Sequence, residues 1–354
     1  MLRKITLVLL ALLLAVVPLA ACQSGTTPPS VTSSQQPSET QGSSESGGAK
    51  SYETITWPSI IPVYSQTGGT AYTLNGAFLD LATKYMPGVS FVSEGTSGAL
   101  EMMNLLEERA QSGKAAISFT SSDSVYMARR GEGPYETPLT EVYQASFMTA
   151  TEHWLTTPTN SGIKTLADVR GKRIGVGPVG SALCLLSEVL LNEAGVTFDD
   201  FEPYYVGFEG SNSGMVDGSL DGGFYGGPPP FAQYEDLATS LDITAIGISD
   251  EAADSILARY PFSIKKTVPA GIMEGVDEDI SVLCIVTMIN MNSAISEELG
   301  YAILEMLFDH LEEFRPYHPR ALENFTVDNW HLGICSDVHP GAIKFFTEQG
   351  VYNK

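Results

Sequence analysis

The sequence of 354 residues contains only four cysteines, so it lacks the means for an extensive disulfide framework. One of them, Cys22, belongs to the N-terminal signal described below, which leaves Cys184, Cys284 and Cys335 for the folded part. Because an odd number of cysteines cannot pair completely, we expect no disulfide framework. Cys284 lies in the apolar run 282–289 and is predicted to be a small buried hydrophobic residue.

Positive charge is also scarce, because 19 Lys and Arg residues stand against 42 Asp and Glu residues and give a formal net charge of −23. This excess of negative charge repels the phosphate backbone of nucleic acids, and no cluster of Lys or Arg interrupts it. Nucleic acid is therefore excluded as a partner, and we interpret the acidic surface as serving solubility.

Histidine is rare as well, with five residues, and one histidine pair shares a metal-like spacing with a cysteine. His331, Cys335 and His339 are four positions apart, a spacing that would align them on a helix as Zn²⁺ ligands. Gly333 and Pro340 break any such helix. The sequence therefore predicts no metal and no cofactor.

The first 22 residues have the features of a bacterial lipoprotein signal. Arg3 and Lys4 form a charged start, residues 5–17 form an apolar run, and small residues precede Cys22. The apolar run is short for a membrane span, which needs about 20 residues. The pattern predicts cleavage before Cys22, a lipid on its thiol, and an extracytoplasmic protein anchored to the membrane surface.

The segment that follows has almost nothing apolar to bury. Residues 23–51 consist mainly of Ser, Thr, Gln, Gly, Pro and Glu, so we expect a disordered tether. The fold is expected to begin near Tyr52. About 300 residues remain, which suits two lobes of ordinary domain size.

Short β-like runs alternate with helical periodicity along the rest of the chain. This pattern is typical of an α/β fold with mainly parallel strands. The predicted strands lie at 115–119, 173–177, 204–208, 243–248 and 282–289. The predicted helices lie at 77–85, 99–110, 181–194 and 299–314.

Three glycine-rich loops precede predicted helix starts and share one chemistry. They are Gly68-Gly69-Thr70, Gly95-Thr96-Ser97-Gly98 and Gly177-Pro178-Val179-Gly180-Ser181. The first turn of a helix leaves about four backbone N–H groups unpaired, and glycine lets a ligand approach them closely. Each loop is thus a candidate site for a carboxylate or phosphate, although Ser and Thr also occupy such positions simply as helix caps.

A fourth glycine-rich segment, residues 217–228, is predicted to end a strand in an open turn. Phe224 and Tyr225 are expected at a sheet edge, with the backbone of Gly226 and Gly227 exposed. Loops at strand ends of α/β folds converge on the cleft where ligands bind. The four loops are therefore predicted to line one cleft and to hold an organic anion.

Four motifs follow one another in a characteristic order. They are TGGTAYTLNGAF at 67–78, EGTSGALEMMNLL with AAISFTSSDSVYMA at 94–106 and 115–128, GIKTLADVRGKRIGVGPVGSA at 162–182, and His-Pro-Gly-Ala at 339–342. In these motifs the chain resembles the TAXI-type solute receptors of tripartite ATP-independent periplasmic (TRAP) transporters, within the NMT1/ThiY-like superfamily of periplasmic binding proteins. Ala71 departs from the tyrosine pair usual in that family, which weakens any transfer of a particular substrate.

The resemblance implies a two-lobed, type II periplasmic-binding-protein-like α/β fold that closes by hinge motion on an interlobe cleft, without enzymatic activity. Lobe one is expected to comprise residues 52–147 and 268–354, and lobe two residues 148–267. The implied ligand is a small organic acid, such as a glutamate-like amino acid or a dicarboxylate. The receptor would deliver it to a TRAP-type membrane permease.

The predicted ligand-binding residues combine the glycine-rich loops with neighbouring side chains. They are Gly68, Gly69, Thr70, Tyr72, Thr96, Ser97, Gly98, Ser121, Ser122, Gly180, Ser181, Ala182, Tyr225, Gly226 and Gly227. Loop N–H groups hold the carboxylate, Tyr72 closes over the ligand, and Ser121 and Ser122 bind its far side. Glu101 and Asp123 could receive an ammonium group, although helix-start electrostatics explains both more simply.

Two other functions stay open at this point. Cys184 lies near a helix start, where the helix dipole can lower a thiol pKa and create the nucleophile of a secreted enzyme. The apolar stripe formed by Leu183, Leu186 and Leu190 argues against this, because it predicts a buried face beside Cys184. Alternatively, the lipoprotein senses a ligand for a signalling partner without transporting it.

Overall fold

The computed structural model describes residues 49–179 and 181–352. The predicted signal with its lipidated Cys22, most of the predicted tether and the predicted binding residue Gly180 lie outside these ranges. Of the helices described, none combines the length and the apolar character that a membrane span requires.

The described part of the chain forms ten strands of very different length. In chain order they are β1 (Ile61–Gln66), β2 (Phe91–Thr96), β3 (Ile117–Ser121), β4 (Val142–Pro158), β5 (Arg173–Gly175), β6 (Glu202–Tyr204), β7 (Gly222–Gly226), β8 (Ile243–Ile246), β9 (Ser263–Val268) and β10 (Ile280–Asn292). β4 and β10, with 17 and 13 residues, are the longest.

Helices fill most of the connections between these strands. They are α1 (Ser51–Thr54), α2 (Thr70–Tyr85), α3 (Ala99–Gln111), α4 (Ser122–Ala128), α5 (Ala182–Glu193), α6 (Phe208–Asp217), α7 (Ala232–Ala238), α8 (Asp250–Arg259), α9 (Glu297–Asp309), α10 (Leu311–Phe314) and α11 (Pro340–Glu348). Short 3-10 helices lie at Thr159–Ser161, Leu166–Val169 and Arg315–Tyr317.

Serine side chains set three of the helix starts. The hydroxyl oxygens of Ser181, Ser249 and Ser296 accept hydrogen bonds from amides three residues later, at the starts of α5, α8 and α9. A serine cap of this kind typically stabilises a helix by about 1 kcal/mol. The helix starts are therefore fixed locally, by residues visible in the sequence.

The first sheet region has the strand order β2-β1-β3-β10-β4. β1 pairs in parallel with β2 and β3, whereas β10 runs antiparallel to β3 and β4. β4 contributes residues 142–150 to this region, and β10 contributes residues 286–292.

The second sheet region uses the remaining halves of the same two strands. Residues 153–158 of β4 pair antiparallel with β7 and β8, and β5 lies parallel between β7 and β6. Residues 280–285 of β10 pair antiparallel with β9. β4 and β10 therefore each run through both sheet regions, and continuous β structure joins the two.

The predicted lobe boundaries can be placed on these strands. The boundary between 147 and 148 falls within β4, and the boundary between 267 and 268 falls at the last residue of β9. The assignment of lobes by these residue numbers stays a prediction.

The largest apolar core also follows the two long strands. It extends from Phe78 and Phe346 in the first region to Trp154 and Tyr225 in the second, and it contains most of the buried apolar residues of β4 and β10. A separate cluster packs α5 and α8 onto the second region. Cys284, on β10, is fully buried, which confirms its prediction as a small core residue.

The α/β class is confirmed, but the expectation of mainly parallel strands is wrong. β4 and β10 are antiparallel to the strands beside them. The expectation rests on short strands that alternate with helices, and these two long strands do not follow that pattern. The strand predicted at 204–208 is also wrong, because β6 ends at Tyr204 and α6 begins at Phe208.

The helix predicted at 299–314 is interrupted near its end. α9 ends at Asp309, and His310 adopts non-helical backbone angles of φ −110° and ψ 25°. The His310 ring stacks on Tyr85 of α2, with the ring centroids 3.4 Å apart. This tertiary contact lies at the break, and the apolar stripe alone does not reveal it.

His153 lies on β4 at the point where the strand enters the second region. Its ring is buried, and Nδ1 donates a hydrogen bond to the carbonyl oxygen of Thr151 at 2.8 Å. Burial lowers the pKa of His153 to about 4. The folded protein therefore keeps this imidazole neutral at pH values where the unfolded chain protonates it.

We expect the substitution His153→Gln to destabilise the fold more at neutral pH than at acidic pH. Below the ordinary histidine pKa the unfolded wild type binds a proton that the folded wild type does not, so the wild type loses stability as the pH falls. Between about pH 7 and about pH 5 this loss amounts to about 2 kcal/mol, and the variant is spared it. Urea unfolding of both proteins at the two pH values measures the difference. An equal penalty at both values contradicts the prediction.

Candidate functional site

One cavity lies between elements of the two sheet regions. Its volume is about 1030 Å³. The first region contributes the end of β1, the first turns of α3, and α4 with the loop after it, and the second region contributes the first turns of α5. The cavity is therefore a cleft whose opposite walls belong to different sheet regions.

The structure brings several predicted binding residues together in this cleft. Ser97, Gly98, Ser121, Ser181 and Ala182 all line it. They come from the ends of β2, β3 and the loop before α5, which are far apart in sequence. Their convergence follows from the common direction of strand ends at one edge of a sheet. Binding of a ligand by these residues stays a prediction.

The loop before α2 lies beside the cleft, while Gln66 at the end of β1 lines it. The amide of Thr67 donates to the carbonyl oxygen of Thr96 at 3.3 Å, so the loops after β1 and β2 are neighbours. Tyr72 is 43% exposed, and its ring lies close to Gly95. The predicted residues Gly68 and Gly69 belong to this neighbouring loop and Thr70 begins α2, and none of the three is among the described lining residues.

Two predicted side chains serve the fold instead of facing the cleft. The buried hydroxyl of Thr96 donates to the carbonyl oxygen of Ser65 at 3.3 Å. The buried hydroxyl of Ser122 lies 2.5 Å from the carbonyl oxygen of Phe262 and 3.2 Å from that of Val286. The predicted ligand contacts of Thr96 and Ser122 are therefore corrected to strand-linking hydrogen bonds.

The predicted wall at Tyr225, Gly226 and Gly227 is also corrected. β7 is an inner strand between β4 and β5, so its residues lie within the sheet and not at an edge. Tyr225 is fully buried, stacks on Phe208 and donates its hydroxyl hydrogen to Asn212.

The two glycines at the end of β7 have a packing role. A Cβ atom at Gly226 would come within 2.8 Å of the His153 ring, and one at Gly227 within 2.9 Å of the Phe231 ring. Glycine is therefore required there by close core packing. β7 ends at Gly226, and the chain bends at residues 227–230 before α7 begins at Ala232.

The first turn of α3 already holds an anion from the chain itself. Both the amide and the hydroxyl of Ser97 donate to the Glu101 carboxylate at 2.7 Å. These two bonds hold the pKa of Glu101 below its ordinary value. The donors that were predicted to bind a ligand carboxylate at Ser97 are thus occupied by a side chain.

The start of α5, on the opposite wall, retains a free hydrogen-bonding function. The hydroxyl oxygen of Ser181 accepts from the amide of Cys184 at 3.2 Å. A hydroxyl has one donor and two acceptor positions, so Ser181 can still donate to a ligand. Ser181 accordingly caps α5 and keeps a hydroxyl hydrogen that can be donated to a ligand in the cleft.

Cys184 lines the same wall but lacks the character of a nucleophile. Burial, and secondly the neighbouring Glu188 carboxylate, raise the pKa of its thiol above the ordinary value. The thiolate is the reactive form of cysteine, and these surroundings disfavour it. The enzyme hypothesis built on Cys184 expected the opposite shift.

Asp123 is the polar group of the cleft that sequence reasoning undervalued. Asp123 is 4% exposed and lines the cavity. Its Oδ1 atom has no hydrogen-bond partner among the described residues. Burial raises its pKa, although hydrogen bonds from Ser121 and from the backbone of α4 act in the other direction. The sequence showed only an acidic residue in a helix start, and nothing local indicated its burial.

The spaced residues His331, Cys335 and His339 have separate structural partners. The Cys335 thiol donates to the carbonyl oxygen of Ser122 at 3.3 Å. His339 accepts from the amide of Gly341 through Nδ1 and donates from Nε2 to the carbonyl oxygen of Ile295. His339 is thus the buried cap of α11.

The fold and the cleft together define a class of protein. The two longest strands of a mixed α/β sheet run through both of its regions, and a cleft lies between elements of the two regions. This is the arrangement of two-lobed periplasmic binding proteins. The NMT1-like family model matches residues 65–350, and the chain belongs to this family. This membership agrees with the superfamily to which the sequence motifs pointed.

Three solved structures are similar to this chain at low sequence identity. A TctC solute-binding protein from Polaromonas is 15% identical, with a TM-score of 0.51 over 75% of this chain and 90% of that chain. A putative periplasmic sulfonate-binding protein from Methylobacillus flagellatus KT is 15% identical, with a TM-score of 0.47 over 85% and 90%. The aliphatic sulphonate-binding protein SsuA from Escherichia coli is also 15% identical, with a TM-score of 0.44 over 82% and 79%.

We expect Glu101→Gln to lower the Tm at neutral pH, because the variant loses a charged acceptor at the start of α3. The contribution of a carboxyl with a lowered pKa is present above its unfolded pKa and disappears as the pH falls through its folded pKa. The difference in Tm between the wild type and Glu101→Gln should therefore disappear at acidic pH. Glu108→Gln, which changes an exposed residue near the other end of α3, should cause no comparable loss. A Glu101→Gln protein with unchanged Tm at every pH contradicts a stabilising role for the Glu101 carboxylate at the start of α3.

Proposed function

We propose that this chain is an extracytoplasmic solute-binding protein, which holds one small molecule in the cleft and delivers it unchanged to a membrane transporter. The observation that carries the proposal is a single cavity with walls from both sheet regions. Its volume is close to the upper end of the range of about 300–1,000 Å³ that small-molecule sites occupy. Membership of the NMT1-like family supports the same role.

The two long strands supply a route for closure. β4 and β10 cross from one sheet region to the other, so a bend in both changes the distance between the cleft walls. Backbone pairing on either side of the bend can persist during such a motion. Hinge closure of this kind buries a ligand between rigid parts and presents a new surface to a partner.

The walls of the cleft combine apolar and polar groups. Leu100, Leu105 and Leu185 offer apolar surface, while Gln66 and Asn104 offer amide groups. A few placed polar groups on an apolar lining are typical of sites that hold organic molecules. Because the Cys184 thiol is held protonated, we assign the site to binding and not to catalysis.

The finer assignment rests on the sequence motifs. We propose a TAXI-type receptor that serves a TRAP-type permease and is tethered through a lipid on Cys22. The ligand classes implied by that resemblance are glutamate-like amino acids and dicarboxylates.

Filling the cleft should abolish binding. We expect Ala182→Trp to remove the rise in Tm that a bound small molecule gives the purified full-length chain, because the indole occupies the space at the start of α5. Ala232→Trp is the matched control, since Ala232 is likewise the exposed first residue of a helix but lies outside the cavity lining. Mass spectrometry should recover the bound compound unchanged. A chemically altered product, or equal binding by both variants, contradicts the proposal.

The lipid anchor has its own test. We expect Cys22→Ser to move the protein from the membrane fraction to the soluble extracytoplasmic fraction and to abolish incorporation of a labelled fatty acid. Cys184→Ser should leave both properties unchanged. Retention of the label by the Cys22→Ser protein contradicts lipidation at Cys22.

A further inference from the structure

The charges on the cleft walls are all of one sign. Glu101, Glu108, Asp123 and Glu188 line the cavity, and no Lys, Arg or His is among the described residues that do so. Glu188 comes from α5 and the other three from the first sheet region, so acidic groups face the cavity from both walls. Such a lining repels an anion and attracts a cation.

Asp123 distinguishes this lining from an ordinary acidic surface. Glu101, Glu108 and Glu188 are exposed to solvent, whereas Asp123 is 4% exposed. Its Oδ1 atom is left without a hydrogen-bond partner among the residues described. Asp123 lines the cavity, and a buried carboxyl oxygen without a partner is satisfied when a ligand in that cavity supplies a donor.

The surroundings of Asp123 supply neutral groups only. The hydroxyls of Ser121 and Ser124 lie 3.1 Å apart beside it, and Tyr135 closes the same side of the cavity. Burial and the proximity of Asp123 raise the pKa of Tyr135 to about 12, so its hydroxyl stays protonated. These groups can orient a donor but cannot neutralise a carboxylate.

Some donors of the cleft walls are already occupied and others are not. The amide and the hydroxyl of Ser97 donate to Glu101, so these two groups do not receive a ligand carboxylate. On the opposite wall, Ser181 and Ala182 line the cleft at the start of α5. A molecule that spans the cleft can place a positive group at Asp123 and a hydrogen-bond acceptor at α5.

We propose that the ligand of this cleft carries an ammonium group and that Asp123 receives it. The inference rests on the proposed function of the cleft and narrows its ligand class. Among the classes that the sequence motifs imply, amino acids meet the requirement and dicarboxylates do not.

The test uses straight-chain diamines, amino acids and dicarboxylates of equal chain length as probes. Each is added to the full-length chain, and binding is measured by thermal shift and by calorimetry. Binding confined to compounds with an ammonium group supports the inference, and a preference for amino acids over diamines shows that an acceptor is also held. Binding confined to dicarboxylates overturns the inference and leaves the proposed function standing. Binding of none of the probes overturns both.

Substitutions test whether Asp123 is the residue that receives the ammonium group. We expect Asp123→Asn to weaken the best ammonium probe at least about tenfold, because the isosteric amide removes the charge from a buried pair. Glu278→Gln, which removes one charge from an exposed residue outside the cavity lining, should leave affinity unchanged. Equal affinity in the Asp123→Asn protein overturns the inference.

A second variant covers the case in which Asp123→Asn does not fold. Glu188 is exposed on α5, so Glu188→Gln leaves the core intact. We expect it to weaken the ammonium probe by about twofold to fivefold and to reduce the salt dependence of binding. Unchanged affinity and unchanged salt dependence in this variant overturn the argument from the acidic cleft walls on which the inference rests.

Discussion

The passage of β4 and β10 through both sheet regions is the constraint on which the rest of the structure depends. Their backbones are paired on both sides of the crossing, and their side chains form much of the largest apolar core. Because these strands fix the two regions side by side, the loops at β1, β2 and β3 face the start of α5 across one cavity. The cleft is thus a consequence of shared strands and does not require a separate interface.

Competition between helix dipoles and carboxylates decides the chemistry of this cleft. A helix start favours an anion by about 0.3–1 kcal/mol at an exposed position, and the chain itself supplies that anion at α3 through Glu101. The donors of Ser97 are therefore occupied before a ligand arrives. Asp123 is buried with an unpaired oxygen, and a buried polar atom without a hydrogen-bond partner is the more costly feature. The geometry of helix starts alone consequently misjudges the preferred ligand charge.

Local signals were predictable from the sequence, and tertiary ones were not. The starts of α3 and α5 followed from Gly98 and Ser181, because capping depends on neighbouring residues. β7 was misjudged because glycine has two uses, turns and close packing. A Cβ atom at Gly223 would come within 3.0 Å of Ser211, so this glycine allows α6 to approach the sheet. The burial of Asp123 likewise depends on distant segments, and no local pattern records it.

The overall charge now bears on the ligand as well as on solubility. A chain with a formal charge of −23 opposes the approach of any anion, so an anionic ligand would have to overcome both the distant field and the acidic cleft walls. Screening limits the distant part to about 8–10 Å at physiological ionic strength, but charges that line the cavity lie within that range of a bound molecule. The ammonium group of a bound ligand meets a favourable field from the cleft walls, and an amino acid without net charge is not repelled by the distant field. A dicarboxylate, in contrast, is opposed by the protein's overall charge and again by its cleft.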